Sequence, residues 1–177
     1  MKSVLKSLLV LALVLALVLP VATALAQTPA GAPATNFYAI PYGPPVTLEA
    51  AKKAAAAAVA EAVKNHWFMA VAIVDPSGNL VYYEKMDNTQ LGSAKVAINK
   101  ARSAALYKRP TKLLQDALAG GGAGLRVLAL EGAVPLEGGL PLMVDGKIVG
   151  AIGLSGDLSE HDGQCAKAGL DALAAAH

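Results

Sequence analysis

The chain has 177 residues and a formal charge of +2. Of its 15 basic residues, Lys2 and Lys6 lie in the first 26 positions, which hold no acid, so residues 27–177 set 13 basic against 13 acidic groups and are neutral. A neutral domain with no basic run lacks the field on which nucleic-acid binding depends, and the lone Cys165 excludes an internal disulfide and a paired-cysteine zinc site.

At the N-terminus, Lys2 and Lys6 form a basic start and Leu8 to Leu19 an unbroken apolar stretch. Pro20 follows as a helix break, and Ala24-Leu25-Ala26 as a small-residue cleavage pattern. These features predict a cleaved secretory signal over residues 1–26, with Gln27 as the first mature residue and an exported product. The alternative is an uncleaved anchor, because Ser7 to Ala26 is uncharged and approaches the ~20 apolar residues that span a bilayer. After cleavage no stable membrane span is expected, and residues 27–177 suit one domain with its own core.

Residues 27–45 are rich in Pro, Ala and Gly and predict an extended, poorly ordered arm. Its Phe37, Tyr38, Ile40 and Tyr42 suit packing on a neighbouring subunit or on the domain's own flank. Thr47 is placed as the N-cap of a helix over Leu48 to Lys64, whose alanine run has the highest helix propensity. Phe68 to Val74 and Leu80 to Lys85 flank the turn residues Asp75-Pro76-Ser77-Gly78-Asn79 and predict a hairpin. Ser93 to Tyr107 reads as a helix, and a short second one starts at Pro110. Leu125 to Glu131 fits a strand or an irregular segment. Leu140 to Val144 and Lys147 to Leu154 flank Asp145-Gly146, a two-residue hairpin signal, and Ser159 to Asp162 opens a final helix with a capping-box pattern. The order α-ββ-αα-ββ-α implies an α+β fold, an antiparallel sheet with flanking helices, over residues 46–177.

Several blocks, in chain order, resemble the GlcG/HbpS haem-binding protein family. They are Asn65-x-Trp67 leading into Val71-Ala72-Ile73-Val74-Asp75 with Gly78; Met86-Asp87; Lys100-Ala101-Arg102-Ser103-Ala104-Ala105 followed by Thr111; and Glu137-Gly138-Gly139-Leu140-Pro141. The run from Val144 to Gly156, then Asp162 with Ala166-x-Ala168-Gly169, completes the set. The resemblance spans Leu48 to Leu173 and implies a profilin-like sheet, a homo-oligomer built from dimers, and haem binding or haem degradation. Fold alone does not fix function.

Lys100 and Arg102, with Lys108, Arg109 and Thr111 beyond, make a group of cations beside a hydroxyl that suits a carboxylate-bearing ligand. The alternative is a solvated helix face. Family resemblance implies that Thr111 approaches the haem iron, and a hydroxyl ligand would hold it loosely. Ser155-Gly156-Asp157 stands before a helix, where orphan N–H groups receive a propionate or another anion; turn and packing roles for these glycines are the alternative. Asp75, Asp87 and Asp162 are potential acid–base groups, with turn and capping duties the alternative for Asp75 and Asp87, and Asp162 joins Lys100, Arg102, Thr111, Ser155 and Gly156 as a candidate cofactor-binding residue.

Histidine is the usual strong iron ligand, and His161 is the best placed of His66, His161 and His177; the alternative for each is a surface histidine. Met69, Met86, Met143 and Cys165 read as core residues, with iron ligation as the alternative for each and an intermolecular bridge as a further one for Cys165. No nucleophile elbow and no His-Glu-x-x-His motif is present. The expected role is therefore exported haem or iron handling, with a haem-degrading oxidoreductase or a small-carboxylate-sensing module as rivals.

Overall fold

Residues 36–174 are described in the computed structural model. The predicted signal peptide, the arm before Asn36 and His177 lie outside them.

Helix α1 (Leu48–Lys64) starts at Thr47, whose side-chain oxygen accepts the N–H of Ala50 at 3.2 Å. Its buried residues are Ala51, Ala54, Ala55, Ala58 and Ala62, a single stripe at helical spacing. At its end, Trp67 N–H donates to Ala62 O and His66 N–H to Val63 O. These two bonds make a Schellman cap with the left-handed position occupied by His66, φ 61°, in place of the usual glycine.

Strands β1 (Ala70–Val74) and β2 (Leu80–Lys85) form the first hairpin. Asp75 Oδ1 accepts the N–H groups of Ser77 and Asn79 at 2.8 and 2.9 Å, so this acid serves the turn. Helix α2 (Ser93–Leu106) and helix α3 (Thr111–Ala119) follow. The segment left open between strand and irregular structure is a 3-10 run, Gly122–Ala129. Strands β3 (Gly139–Val144) and β4 (Lys147–Ser155) meet at Asp145-Gly146, both at positive φ (50° and 71°), as the two-residue hairpin turn requires. Helix α4 (Ser159–Ala174) closes the fold.

The sheet is antiparallel with order β2-β1-β4-β3, so α2, α3 and the 3-10 run carry the chain from one edge to the other. Alternation along β1 sorts the core into two layers. Val71 and Ile73, with Ile152 and Leu154 of β4, pack under α1 and α4. Ala70, Ala72, Val74 and Ala151 face Ala97, Ala101, Ala104 and Ala105 of α2. Helices cover both faces, which is why every residue of β1 is buried. The alanine layer lets α2 lie close on the sheet: a side chain at Gly153 would collide with Ala97 O and the Ala101 backbone.

Residues 36–46 run along the domain's own flank, one of the two positions open for the aromatic arm. Ile148 N–H donates to Pro41 O and Gly43 N–H to Ile148 O. Tyr42 donates its hydroxyl to Ala105 O at 3.0 Å, and Lys108 Nζ sits 4.4 Å over the Tyr42 ring. Among the described residues no helix is long and apolar enough to cross a membrane.

Candidate functional site

Lys100 from α2 and Asp162 from α4 meet where β4 ends and β3 begins, Nζ to Oδ2 at 2.6 Å, both almost fully buried. Burial raises the Asp162 carboxyl above its ordinary value and the adjoining Lys100 charge opposes the shift. The turn Glu137-Gly138-Gly139 wraps this pair. Gly138 has φ +121°, and a side-chain carbon there would stand 2.7 Å from Asp162 Cβ and 3.0 Å from Lys100 Nζ.

Thr111 completes the knot. Its Oγ1 accepts the N–H of Gly139 at 2.9 Å and donates to the same residue's carbonyl at 3.5 Å. It is fully buried. The hydroxyl expected to approach iron is thus spent on the backbone of β3.

Three further expectations are redirected. Asp157 N–H, at the chain entry to α4, donates to Asp162 Oδ1 at 3.4 Å, so the anion received at this helix start is the protein's own carboxylate. Ser159 is already the first helical residue, and Asp157 Oδ1 holds the N–H of Leu158, which replaces the expected capping box. Ser155 donates to Ser93 Oγ at 3.1 Å, tying β4 to α2, and Gly156 packs against the backbone of Phe68 and Met69.

Arg102 is not beside Lys100, since positions two apart on a helix do not share a face. Its Nε donates to Gly78 O and braces the first hairpin turn. His161 stacks on Trp67, rings 3.9 Å apart and 11° from parallel, with Nδ1 3.0 Å from Asp157 Oδ1. The Trp67 partner is delivered by the Schellman cap of α1. Among the described residues no group of three or more His, Cys, Asp or Glu could hold a metal ion. Cys165 is fully buried, its thiol pushed up to about 12, first by burial and then by nearby carboxylates, which disfavours the thiolate form.

Lys100, Asp162, Thr111, Ser155 and Gly156 therefore form a closed structural node. One open cleft adjoins it and a second lies further along α3. One, of about 280 Å³, is floored by Gly138 and Gly139 and flanked by Lys112 and Lys167. The other, of about 730 Å³, lies between α3 and the 3-10 run. Leu113, Leu114, Val127 and Leu130 give it an apolar floor, Arg109 and Arg126 stand at it, and among the described residues no Asp or Glu lines it. Both arginines use Nε internally, on Tyr107 O and Ala123 O, and among the described residues neither is paired with a carboxylate.

Arg109 reaches this cleft because α2 ends in a second Schellman cap. Arg109 N–H donates to Ala104 O and Lys108 N–H to Ala105 O, with Lys108 at φ 55°. Sequence reading placed Arg109 among the candidate cations but missed Arg126. Its signal was a lone arginine inside the apolar segment Leu125 to Glu131.

The fold and its site define a small α+β domain, helices on both faces of an antiparallel sheet, with a buried Lys–Asp node under a Gly-Gly turn. Residues 46–171 match the family described as haem degrading protein HbpS-like, and the chain belongs to that family. An uncharacterised 15.0 kDa Citrobacter freundii protein from the dhaT-dhaS intergenic region is 34% identical over 71% of this chain and 90% of its own length. Protein GlcG of Escherichia coli K12 is 38% identical over 56% of this chain and 73% of its own.

Among solved structures, the Klebsiella pneumoniae protein ORFY superposes with a TM-score of 0.69 at 30% identity, covering 75% of this chain and 93% of that one. A double mutant of Streptomyces reticuli HbpS gives 0.67 at 35%, covering 73% and 87%. A PduOC:heme complex gives 0.66 at 28%, covering 72% and 94%.

Proposed function

We propose that this chain is an exported haem-binding protein, a homo-oligomer that handles haem or iron outside the cytoplasm. The observation that carries the reading is the 730 Å³ cleft, within the usual range of about 300–1,000 Å³ for ligand sites. A porphyrin presents an apolar plane with carboxylates at one edge, and the cleft presents an apolar floor with Arg109 and Arg126 and no opposing acid. Arginine pairs with carboxylates through two parallel N–H groups, and the terminal nitrogens of both guanidinium groups hold no hydrogen bond among the described residues.

The residues present therefore fit the group: the leucines and Val127 would contact its faces and the two arginines would hold its carboxylates. Bound haem supplies one-electron and oxygen chemistry at iron; the protein's part is to hold and orient it. Further support comes from the family's haem-degrading description and from the relative solved as a heme complex. Export rests on the signal pattern of residues 1–26.

Titration of the purified protein with hemin tests this. A saturable Soret shift is expected, weakened about 10- to 100-fold in an Arg109→Ala, Arg126→Ala variant, as loss of charge-assisted bonds implies. No saturation with the parent protein overturns the reading. A small-carboxylate site in the 280 Å³ cleft lined by Lys112 and Lys167 is the second reading, one in which the ligand displaces the acids these lysines pair with, Asp116 and Asp171. Thermal protection by small carboxylates, lost in Lys112→Ala and Lys167→Ala but not in the arginine variant, would select it.

A further inference from the structure

We propose that the phenol of Tyr38 is the protein ligand to the iron of a porphyrin held in the cleft between α3 and the 3-10 run. The inference rests on the haem reading above and adds to it the atom that meets the metal.

Among the described residues, the side-chain groups lining this cleft that are able to ligate ferric iron are those of Tyr38 and Tyr107. The Tyr107 hydroxyl is committed, donating to Glu131 O. Thr111, two residues before the cleft wall at Leu113, is fully buried with its hydroxyl on Gly139. His161 is stacked on Trp67, and Met86 Sδ accepts the N–H of Met69; neither lines the cleft. Tyr38 remains, and it is 74% exposed where it borders the cleft.

Two features equip Tyr38 for the task. The Arg109 guanidinium stacks 4.6 Å over its ring, and a cation there offsets the negative charge of a phenolate bound to ferric iron. Phenolate is an established haem ligand type. When the iron–oxygen bond forms, the phenol proton leaves to solvent, and no electron is transferred.

The ring also rides on an anchored segment. The short 3-10 turn Phe37–Ala39 is followed by Ile40, whose carbonyl accepts a hydrogen bond from Lys108 Nζ at 2.7 Å, and by Tyr42, fixed to Ala105 O. Lys108 and Arg109 are consecutive residues of the α2 cap, so one turn holds both aromatic rings, and of the two Tyr38 borders the cleft.

The test is the spectrum of the ferric hemin complex of the full chain and its variants. The parent protein is expected to show a high-spin electron paramagnetic resonance signal and a phenolate-to-iron charge-transfer band. Tyr38→Phe should lose the band while still shifting the Soret maximum, because the arginines and the apolar floor remain. Arg109→Gln should move the band. An identical spectrum in Tyr38→Phe, or loss of the band in Tyr107→Phe instead, overturns Tyr38 as ligand and leaves haem binding standing. Failure of the parent protein to bind hemin at all overturns both.

Discussion

Lys100 and Asp162 stand 62 residues apart in the chain and 2.6 Å apart in the fold, an ion pair sealed between α2 and α4 with Gly138 pressed over it. A buried pair gains little net stability over apolar residues of the same shape, because both charges give up water, yet removing one partner strands the other. Asp162→Ala is therefore expected to cost about 3–5 kcal/mol. Replacing both residues, as in Lys100→Met with Asp162→Leu, should restore most of that loss. Urea unfolding of the two variants against the parent decides it: equal destabilisation of the single and the double would show that the charge pairing is not what stabilises this corner.

A second prediction concerns Thr111. Thr111→Val keeps the shape but leaves the Gly139 N–H without its acceptor in a buried setting, a loss of about 1–3 kcal/mol. Thr111→Ser keeps the acceptor and gives up only one methyl, about 1 kcal/mol. Thermal melts should rank parent, Ser and Val in that order. A Val variant as stable as the parent would return the hydroxyl to the pool of candidate ligands.

The elements were legible because their signals are local. The alanine stripe of α1, the Thr47 cap and the Asp145-Gly146 turn each depend on residues within a few positions, and each is found as expected. The segment Leu125 to Glu131 could not be assigned, because its apolar residues have no period and four glycines, Gly120, Gly121, Gly122 and Gly124, precede it. Site composition was legible only in part. The family blocks picked out Lys100, Thr111 and Asp162, but the pattern could not reveal that all three face inward, Lys100 and Asp162 on each other and Thr111 on the Gly139 backbone. Arg102 was grouped with Lys100 through sequence proximity, although its helical position turns it to the Gly78 hairpin. The open cleft depends on a 3-10 run and a non-glycine Schellman cap, and neither has a dependable sequence signal.

The last prediction is a pH dependence at the start of α4. Asp157 Oδ1 accepts the Leu158 N–H at 2.7 Å and lies 3.0 Å from His161 Nδ1. First the backbone N–H and then His161 hold its carboxyl below the ordinary 3.8. An acid whose folded value is depressed contributes stability that is present above the unfolded value and is lost as pH falls through the folded one. The Asp157 contribution should therefore be complete above about pH 4 and disappear on further acidification. The group is partly exposed, so the hydrogen bond sets the scale: Asp157→Ala should cost about 1 kcal/mol at neutral pH. Urea midpoints for parent and variant, measured from neutral pH to about pH 2, should converge at the acid end. A gap that stays constant across the range would assign the effect to lost packing against His161 and Trp67 rather than to the ionised carboxylate.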